Sequence, residues 1–122
     1  MRVMVLVKAT EDSEAGFKGT PEEQAMMEAM GRFNAELEAA GVMRSGDGLK
    51  PSSFGKRVAF DGASRTVIDG PFAATRELVA GFWLWEVADM DEAVSWAKRC
   101  PNPMPGPSEL EIRPFYESED LA

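Results

Sequence analysis

Histidine is absent from the 122 residues, and this absence removes several kinds of chemistry at once. A chain without histidine lacks the commonest general base, the commonest metal ligand and any Ser–His or Cys–His pair. No zinc-ligand spacing, phosphate-binding glycine loop or dinucleotide fingerprint occurs either. Acid–base chemistry would have to use Asp, Glu, Lys, Arg or Tyr116. We therefore expect no metal site and no cofactor.

Cysteine, long apolar runs and positive charge are also scarce. Cys100 is the single cysteine, which is typical of a protein of the reducing cytoplasm. No apolar run approaches the roughly 20 residues that cross a bilayer. The chain has 13 Lys and Arg residues and 21 Asp and Glu residues, so its net charge is −8. The basic residues form no run longer than the pairs at 56–57 and 98–99. We expect a cytoplasmic protein that binds neither membranes nor nucleic acid.

The composition, with 44% hydrophobic and 28% charged residues, is that of one globular domain. We assign residues 1–116 to this domain and residues 117–122 to an acidic, fraying tail. Apolar periodicity and capping residues predict the order strand, helix, hairpin, strand, helix, strand. The expected strands are residues 2–8, 57–61, 65–69 and 81–88, and one more within 108–116. One helix is expected to follow Thr20 and to end at Gly41, and a second to follow Asp89. Residues 9–19 and 42–56 are expected as loops.

This order predicts a ferredoxin-like α+β sandwich of the βαββαβ type with an extra hairpin. In that fold, strands 2–8 and 81–88 lie in the middle of the sheet. Both are apolar on both faces, as buried central strands are. The hairpin and the last strand are expected outside them.

Two helices cover only one face of such a sheet, so the second face needs another cover. Alternation directs Leu110 and Ile112 towards the helices and places Glu111 and Arg113 on the opposite face. In strand 81–88 the side with Phe82 and the side with Trp83 both carry large apolar side chains, so whichever face stayed open would expose an apolar patch. We therefore expect a homodimer in which the sheets pack face to face as a dimeric α+β barrel. An Arg–Glu pair on this face is either structural or part of a small-molecule pocket.

The stretch "TVIDGPFAATREL", residues 66–78, ends a strand with an acid and then turns sharply. Gly70 is expected to permit a tight turn, Pro71 to set φ, and Phe72 to enter the core before a short helical turn. Asp69 either bonds to nearby backbone N–H groups, as Asp often does in turns, or forms one wall of a site.

Motifs occur in a fixed order along nearly the whole chain: "GLKPSS" at 48–53, "DGPF" at 69–72, then "TRELVAGFWLWEV", "DEAVSWAKRCP" and "ELEIRPF". Together they resemble the YCII-related family, in particular its DGPF-domain proteins. The resemblance implies a ferredoxin-like fold of the dimeric α+β barrel superfamily. It also implies similarity to small lyase-like or isomerase-like enzymes that use a His–Asp pair. Asp69 matches that Asp by position, and the His has no counterpart here.

Two functions remain open. The first is a dimeric binding or regulatory module, without catalysis, that holds a small anionic ligand in a pocket at the sheet near the DGPF motif. The second is a lyase or isomerase in which a desolvated Asp69 acts as acid or base beside a cation. The segment 42–56 is either a lid over the pocket or a linker. The residues expected to contact the ligand are Arg113, Arg76, Glu77, Glu111, Phe72 and Phe82.

Overall fold

Six strands and four helices occur along residues 1–122, all of which the computed structural model describes. They are β1 (Arg2–Lys8), α1 (Glu11–Glu14), α2 (Pro21–Ala39), β2 (Met43–Gly48), β3 (Lys56–Asp61), β4 (Ser64–Asp69), β5 (Val79–Glu86), α3 (Met90–Arg99), β6 (Leu110–Pro114) and α4 (Ser118–Leu121). The order β1-α2-β2-β5-α3-β6 is the ferredoxin-like arrangement that the sequence predicts, and β3 and β4 form the extra hairpin.

Four antiparallel strands form the main sheet, in the order β2-β5-β1-β6. The strands that are apolar on both faces, β1 and β5, lie in its centre, which confirms the prediction. Their backbone N–H and C=O groups therefore have partners on both edges. The strands β3 and β4 pair only with each other.

Aromatic and valine side chains fill the core between the main sheet and the helices α2 and α3. Phe33 of α2 packs edge-on against Trp83 and Trp85, with ring centroids 5.9 and 6.4 Å away. The buried Trp83 donates its Nε1–H to Asn34 Oδ1 at 2.9 Å, so this ring loses no hydrogen bond on burial. The other buried members of the core are Val3, Val5, Val7, Leu37, Val42, Val87 and Ala93.

The edge strand β2 occupies residues 43–48, where the sequence analysis expected a loop. Glycine disfavours strands in general and so argued against a strand here. Gly46, however, allows β2 to pair with β5. A Cβ at this position would lie 2.6 Å from Trp83 Cδ1 and 3.0 Å from the Phe82 carbonyl oxygen. The missing side chain therefore makes room for a core tryptophan. The prediction was wrong here, and β2 takes the edge position that it gave to the hairpin.

The hairpin strands lie within one residue of their predicted bounds. Gly62, with φ +57°, is the first of the two residues that join them, a position where glycine adopts positive φ without strain. Every residue of β3 and β4 is exposed. The hairpin therefore projects from the domain instead of extending the main sheet.

The two long helices begin and end where the sequence indicates. Thr20 accepts the N–H of Glu23 at 3.2 Å, and Asp89 accepts the N–H of Glu92 at 2.8 Å. Gly41, with φ +72°, follows the end of α2. No helix in the structure combines the length and the apolar character needed to cross a membrane.

Two short helices were missed by the sequence analysis. The helix α1 lies in the expected loop 9–19, where the side chain of Thr10 caps it. The helix α4 lies in the expected fraying tail, and Glu117 before it accepts two hydrogen bonds from the Arg2 guanidinium, at 3.0 and 3.1 Å. The hydrogen bond from Arg2 lowers the pKa of Glu117. The acidic tail is therefore attached to β1.

The contact between Gly46 and Trp83 predicts that adding a methyl group at position 46 lowers stability more than adding one elsewhere in β2. Gly46→Ala should lower the free energy of unfolding by about 1–3 kcal/mol, because the buried indole has little room to move. Gly48→Ala is the matched control, since a Cβ on this glycine of the same strand meets nothing within 4 Å. Urea denaturation of both variants measures the difference. Equal stability of the two would contradict the proposed packing.

Candidate functional site

The DGPF segment is joined to two other parts of the chain through Ser52. The Ser52 hydroxyl accepts the backbone N–H of Phe72 at 3.1 Å and donates to the carboxylate of Glu14. The same carboxylate accepts the backbone N–H of Ser52 at 2.9 Å. We call this unit, consisting of Glu14, residues 51–55 and residues 69–72, the DGPF junction.

Gly70 brings two backbone segments into contact at the centre of the DGPF junction. Its N–H donates to the Gly55 carbonyl at 3.0 Å, and a Cβ on it would lie 1.8 Å from the Ser52 carbonyl oxygen. Its φ is not positive, and the bond to Pro71 is cis. Glycine is therefore required for close approach of the backbone, and not for the left-handed turn conformation that glycine often supplies.

Phe72 does not enter the core, and that expectation was wrong. The ring is half-buried, and the Arg57 guanidinium lies over it with Cζ 3.9 Å from the centroid. The core is already filled by residues of the main sheet and of α2 and α3. Phe72 instead packs against the base of the hairpin, where a cation–π contact covers its face.

Asp69 lies at the exposed end of β4. Its side chain is 73% exposed, and its carboxylate lies 2.5 Å from Nζ of Lys56, the residue opposite it in the hairpin. A single chain therefore gives Asp69 the neighbouring cation that a catalytic role requires, but not the burial. Its hydrogen bond goes to Lys56 and not to the backbone N–H groups expected of a turn residue.

Arg76 and Glu77 lie in a 3₁₀ turn, Thr75–Glu77, between the DGPF junction and β5. This confirms the expected helical turn. Both side chains are exposed. They are therefore available to a ligand or a partner, and the turn fixes where they lie relative to the start of β5.

The face of the main sheet that α2 and α3 leave uncovered has an apolar centre. Cross-strand pairing places Phe82 opposite Leu6 and Leu84 opposite Met4, and all four side chains are half-buried. We call this surface, with the charged residues around it, the open face. Those charged residues are Arg2, Lys8, Asp47, Glu86, Glu111 and Arg113.

Glu111 and Arg113 share the open face, as the sequence predicts, because they pair with Leu6 and Met4. Arg113 Nη1 lies 3.3 Å from a carboxylate oxygen of Glu111, and Lys8 Nζ lies 3.9 Å from the other. The Arg113 side chain is 70% exposed. Its guanidinium is therefore held near the apolar centre and keeps donors free for another anion.

The candidate residues from the sequence thus fall into two groups. Phe82, Glu111 and Arg113 lie together on the open face, whereas Asp69, Phe72, Arg76 and Glu77 belong to the DGPF junction and the turn after it. The chain connects the groups directly, since this turn leads into β5, which carries Phe82. The cross-strand row containing Phe82, Leu6 and Glu111 lies towards the end of the sheet where β5 begins.

Ser52 and Glu14 were missed by sequence reasoning. Ser52 lies in the "GLKPSS" motif, which carries part of the family resemblance. This motif is the one sequence signal that could have identified Ser52 as a candidate. Glu14 has no such signal. Its contact with Ser52 joins residues 38 positions apart and depends on the folding of the loops.

Cys100 lies at a groove of about 480 Å³ between α3, β6 and the proline-rich segment before β6. Burial raises the pKa of its thiol to about 11. Since the thiolate is the nucleophile, this cysteine stays unreactive near neutral pH. The groove contains none of the candidate site residues.

Comparison with known proteins finds one family match over nearly the whole chain and one relative. Residues 1–116 match the YCII-related domain. An uncharacterized protein of Rhizobium meliloti (strain 1021) is 29% identical over 94 residues, which cover 77% of this chain and 76% of the relative. The matched domain includes the DGPF junction and the open face and ends before α4.

The DGPF junction predicts that two small substitutions are costly. Gly70→Ala should lower the free energy of unfolding by more than about 2 kcal/mol, because its Cβ would collide with a carbonyl group. Ser52→Ala should cost about 1–3 kcal/mol, since the Phe72 N–H and the Glu14 carboxylate each lose a partner. Urea denaturation measures both.

Two substitutions serve as controls for the junction. Gly106→Ala adds a Cβ that meets nothing within 4 Å, and Ser53 is the exposed neighbour of Ser52. Gly106→Ala and Ser53→Ala should stay within about 0.5 kcal/mol of wild type. If Ser52→Ala and Ser53→Ala were equally stable, the bridging role of Ser52 would be wrong.

Proposed function

The chain belongs to the YCII-related family, and we propose that it is a homodimer that binds a small anionic molecule without transforming it. The observation that carries the proposal is the open face, which combines an apolar centre with an exposed arginine at its edge. A second copy would exclude water from the apolar centre, and the arginine would hold the negative group of the ligand.

The dimer is supported by the distribution of apolar side chains. Met4, Leu6, Phe82 and Leu84 form one continuous surface across the two central strands, and neither α2 nor α3 reaches it. A second copy can cover this surface through the same four residues in an isologous two-fold arrangement. Burial of such side chains is the main favourable term in association.

An anionic ligand is supported by the cations next to this surface. Arg113 and Lys8 approach Glu111 at 3.3 and 3.9 Å, so each retains hydrogen-bond donors. A planar guanidinium fits a carboxylate with two parallel hydrogen bonds. Phe82 lies in the neighbouring row and supplies an apolar wall. We therefore assign the ligand to the class of small carboxylic acids with an apolar or aromatic part.

Binding without catalysis is supported by the surroundings of Asp69. A carboxylate acts as an effective base near neutral pH when burial disfavours its charged form. Asp69 is largely exposed, and its carboxylate contacts the Lys56 ammonium group instead of lying in an apolar pocket. The lyase or isomerase alternative would require a second copy to bury Asp69 and separate it from Lys56.

The segment 42–56 contributes a wall to the proposed pocket and not a lid. Residues 43–48 are bound to β5 as a strand, and the Ser52 turn is bound to Glu14 and Phe72. A segment with these bonds has little freedom to open and close. The DGPF junction is therefore proposed to fix the position of the turn that bears Arg76 and Glu77 beside the open face.

The proposed dimer predicts that a charge in the apolar centre separates the copies. Leu84→Glu should weaken self-association at least tenfold, because one buried carboxylate on each copy would lose its hydration. Sedimentation equilibrium measures the change. Met27→Glu is the matched control, since Met27 is an exposed methionine of α2 and should leave association unchanged. A wild-type monomer at all concentrations would refute the dimer.

The proposed ligand class predicts that Arg113 is needed for binding. Benzoate, 2-oxobutanoate and succinate serve as probes, and at least one should raise the melting temperature of the wild type by mass action. Arg113→Gln should weaken binding of that probe roughly tenfold or more, the scale of a charge-assisted hydrogen bond.

Arg32→Gln is the control for the loss of one positive charge, because Arg32 is an exposed residue of α2. It should bind the probe as the wild type does. An equal loss in both variants would show a nonspecific charge effect, and the absence of any stabilisation would reject this ligand class. Asp69→Asn should retain binding, and consumption of a probe by the wild type but not by Asp69→Asn would establish the enzyme alternative instead.

A further inference from the structure

The β3–β4 hairpin, which we call the arm (residues 56–69), pairs with no other strand of the chain, and Phe72 packs against it only at its base. Its strands pair only with each other, and every residue in them is exposed. An isolated two-stranded hairpin is at best marginally stable in water and needs a third strand or a packing surface. The arm therefore requires a cover that a single chain does not provide.

One side of the arm is apolar at its centre. Cross-strand pairing sets Val58 against Val67 and Phe60 against Arg65, so these side chains point to the same side. Val58, Phe60 and Val67 are 49%, 72% and 61% exposed. The Arg65 guanidinium lies over the Phe60 ring, 4.7 Å from its centroid. The side thus combines three exposed apolar residues with the Arg65 cation and, at the base of the arm, the Lys56–Asp69 ion pair.

The charge of the chain is divided between the arm region and the rest. Residues 50–76 contain five Lys and Arg and two Asp, whereas the remaining residues contain eight Lys and Arg and nineteen Asp and Glu. A region of charge +3 is thus attached to a body of charge −11. Each copy carries both the basic surface and its acidic complement, so a second copy is a suitable partner.

We propose that the arm of each copy packs against the open face of the other copy. Val58, Phe60 and Val67 would cover the outer part of its apolar centre, and Lys56 and Arg65 would face its carboxylates. This inference rests on the proposed dimer and adds a contribution from the partner. The turn after the DGPF junction leads into β5 of the same chain, so each ligand pocket would contain the open face and the DGPF junction of one copy and the arm of the other.

The first test compares the two sides of the arm by sedimentation equilibrium of the full chain. The double variant Phe60→Thr/Val67→Thr keeps residues that favour strands and removes the apolar contact. It should raise the dimer dissociation constant roughly tenfold or more. Ile68→Thr is the matched control, since Ile68 is an exposed residue on the opposite side of the same arm, and it should leave the constant within about twofold.

Salt provides a second readout that a purely apolar contact would not produce. The wild-type dimer should dissociate more readily as sodium chloride rises to about 0.5 M, because the attraction between arm and body is screened. The charge variant Lys56→Gln/Arg65→Gln should have a weaker dimer at low salt and a smaller dependence on salt. Stronger association of the wild type at high salt would contradict the electrostatic part of the proposal.

The position of the arm is tested by paramagnetic broadening between copies. A spin label is attached through Ala63→Cys at the arm tip, in a Cys100→Ser background, and this protein is mixed with ¹⁵N-labelled Cys100→Ser protein. Amides of the main sheet around Asp47, Phe82 and Glu111 should broaden more than those on the outer side of α2. Broadening that is absent, or strongest at α2, would overturn the proposed position.

The outcomes separate this inference from the proposed function. If Leu84→Glu dissociates the dimer while Phe60→Thr/Val67→Thr does not, the open-face dimer stands and the role of the arm is refuted. If the arm variant dissociates the dimer and Leu84→Glu does not, the arm is an interface and face-to-face pairing is wrong. A wild-type monomer refutes both, and the arm then needs an acidic partner other than this chain.

Discussion

Trp83 and Trp85 lie on the same side of β5, against Phe33 of α2, and the rest of the structure depends on this contact. Because side chains alternate along a strand, the placement of the two indoles on the covered face places Phe82 and Leu84 on the open face. The Trp83 indole also requires a glycine at position 46, where β2 pairs with β5. One set of rings therefore determines which face the helices cover, how the edge strand fits, and which apolar residues lie on the open face.

A second constraint is the close approach of Gly70 to the Ser52 carbonyl. Together with the hydrogen bonds of Ser52, it joins the turn at 51–55, Glu14 of α1 and the DGPF segment at 69–72 in one unit. The arm emerges from this unit and has no other support. The domain thus combines a fixed base with an exposed, basic, partly apolar hairpin, and this combination suits a part that is completed by another copy.

Sequence patterns predicted the parts of the fold in which local chemistry and tertiary packing agree. The caps at Thr20 and Asp89, the central position of the two doubly apolar strands and the shared face of Glu111 and Arg113 are examples. The patterns failed at β2 because glycine disfavours strands in general, whereas at Gly46 a glycine is needed for a neighbour 37 residues away in the chain. They failed at Phe72 because the number of side chains that the core can hold depends on the whole fold and cannot be inferred from neighbouring residues.

The sequence alone determined the chemical limits of this protein: no histidine, a single cysteine, a strong excess of acid and two strands that demand burial on both faces. These depend only on residue type and periodicity. Tertiary structure decided which candidates meet. It grouped Phe82 with Glu111 and Arg113, left Asp69 in solvent beside Lys56, and joined Glu14 to Ser52. Such contacts depend on where loops return to the sheet, and that is set by the packing of the whole chain and not by neighbouring residues.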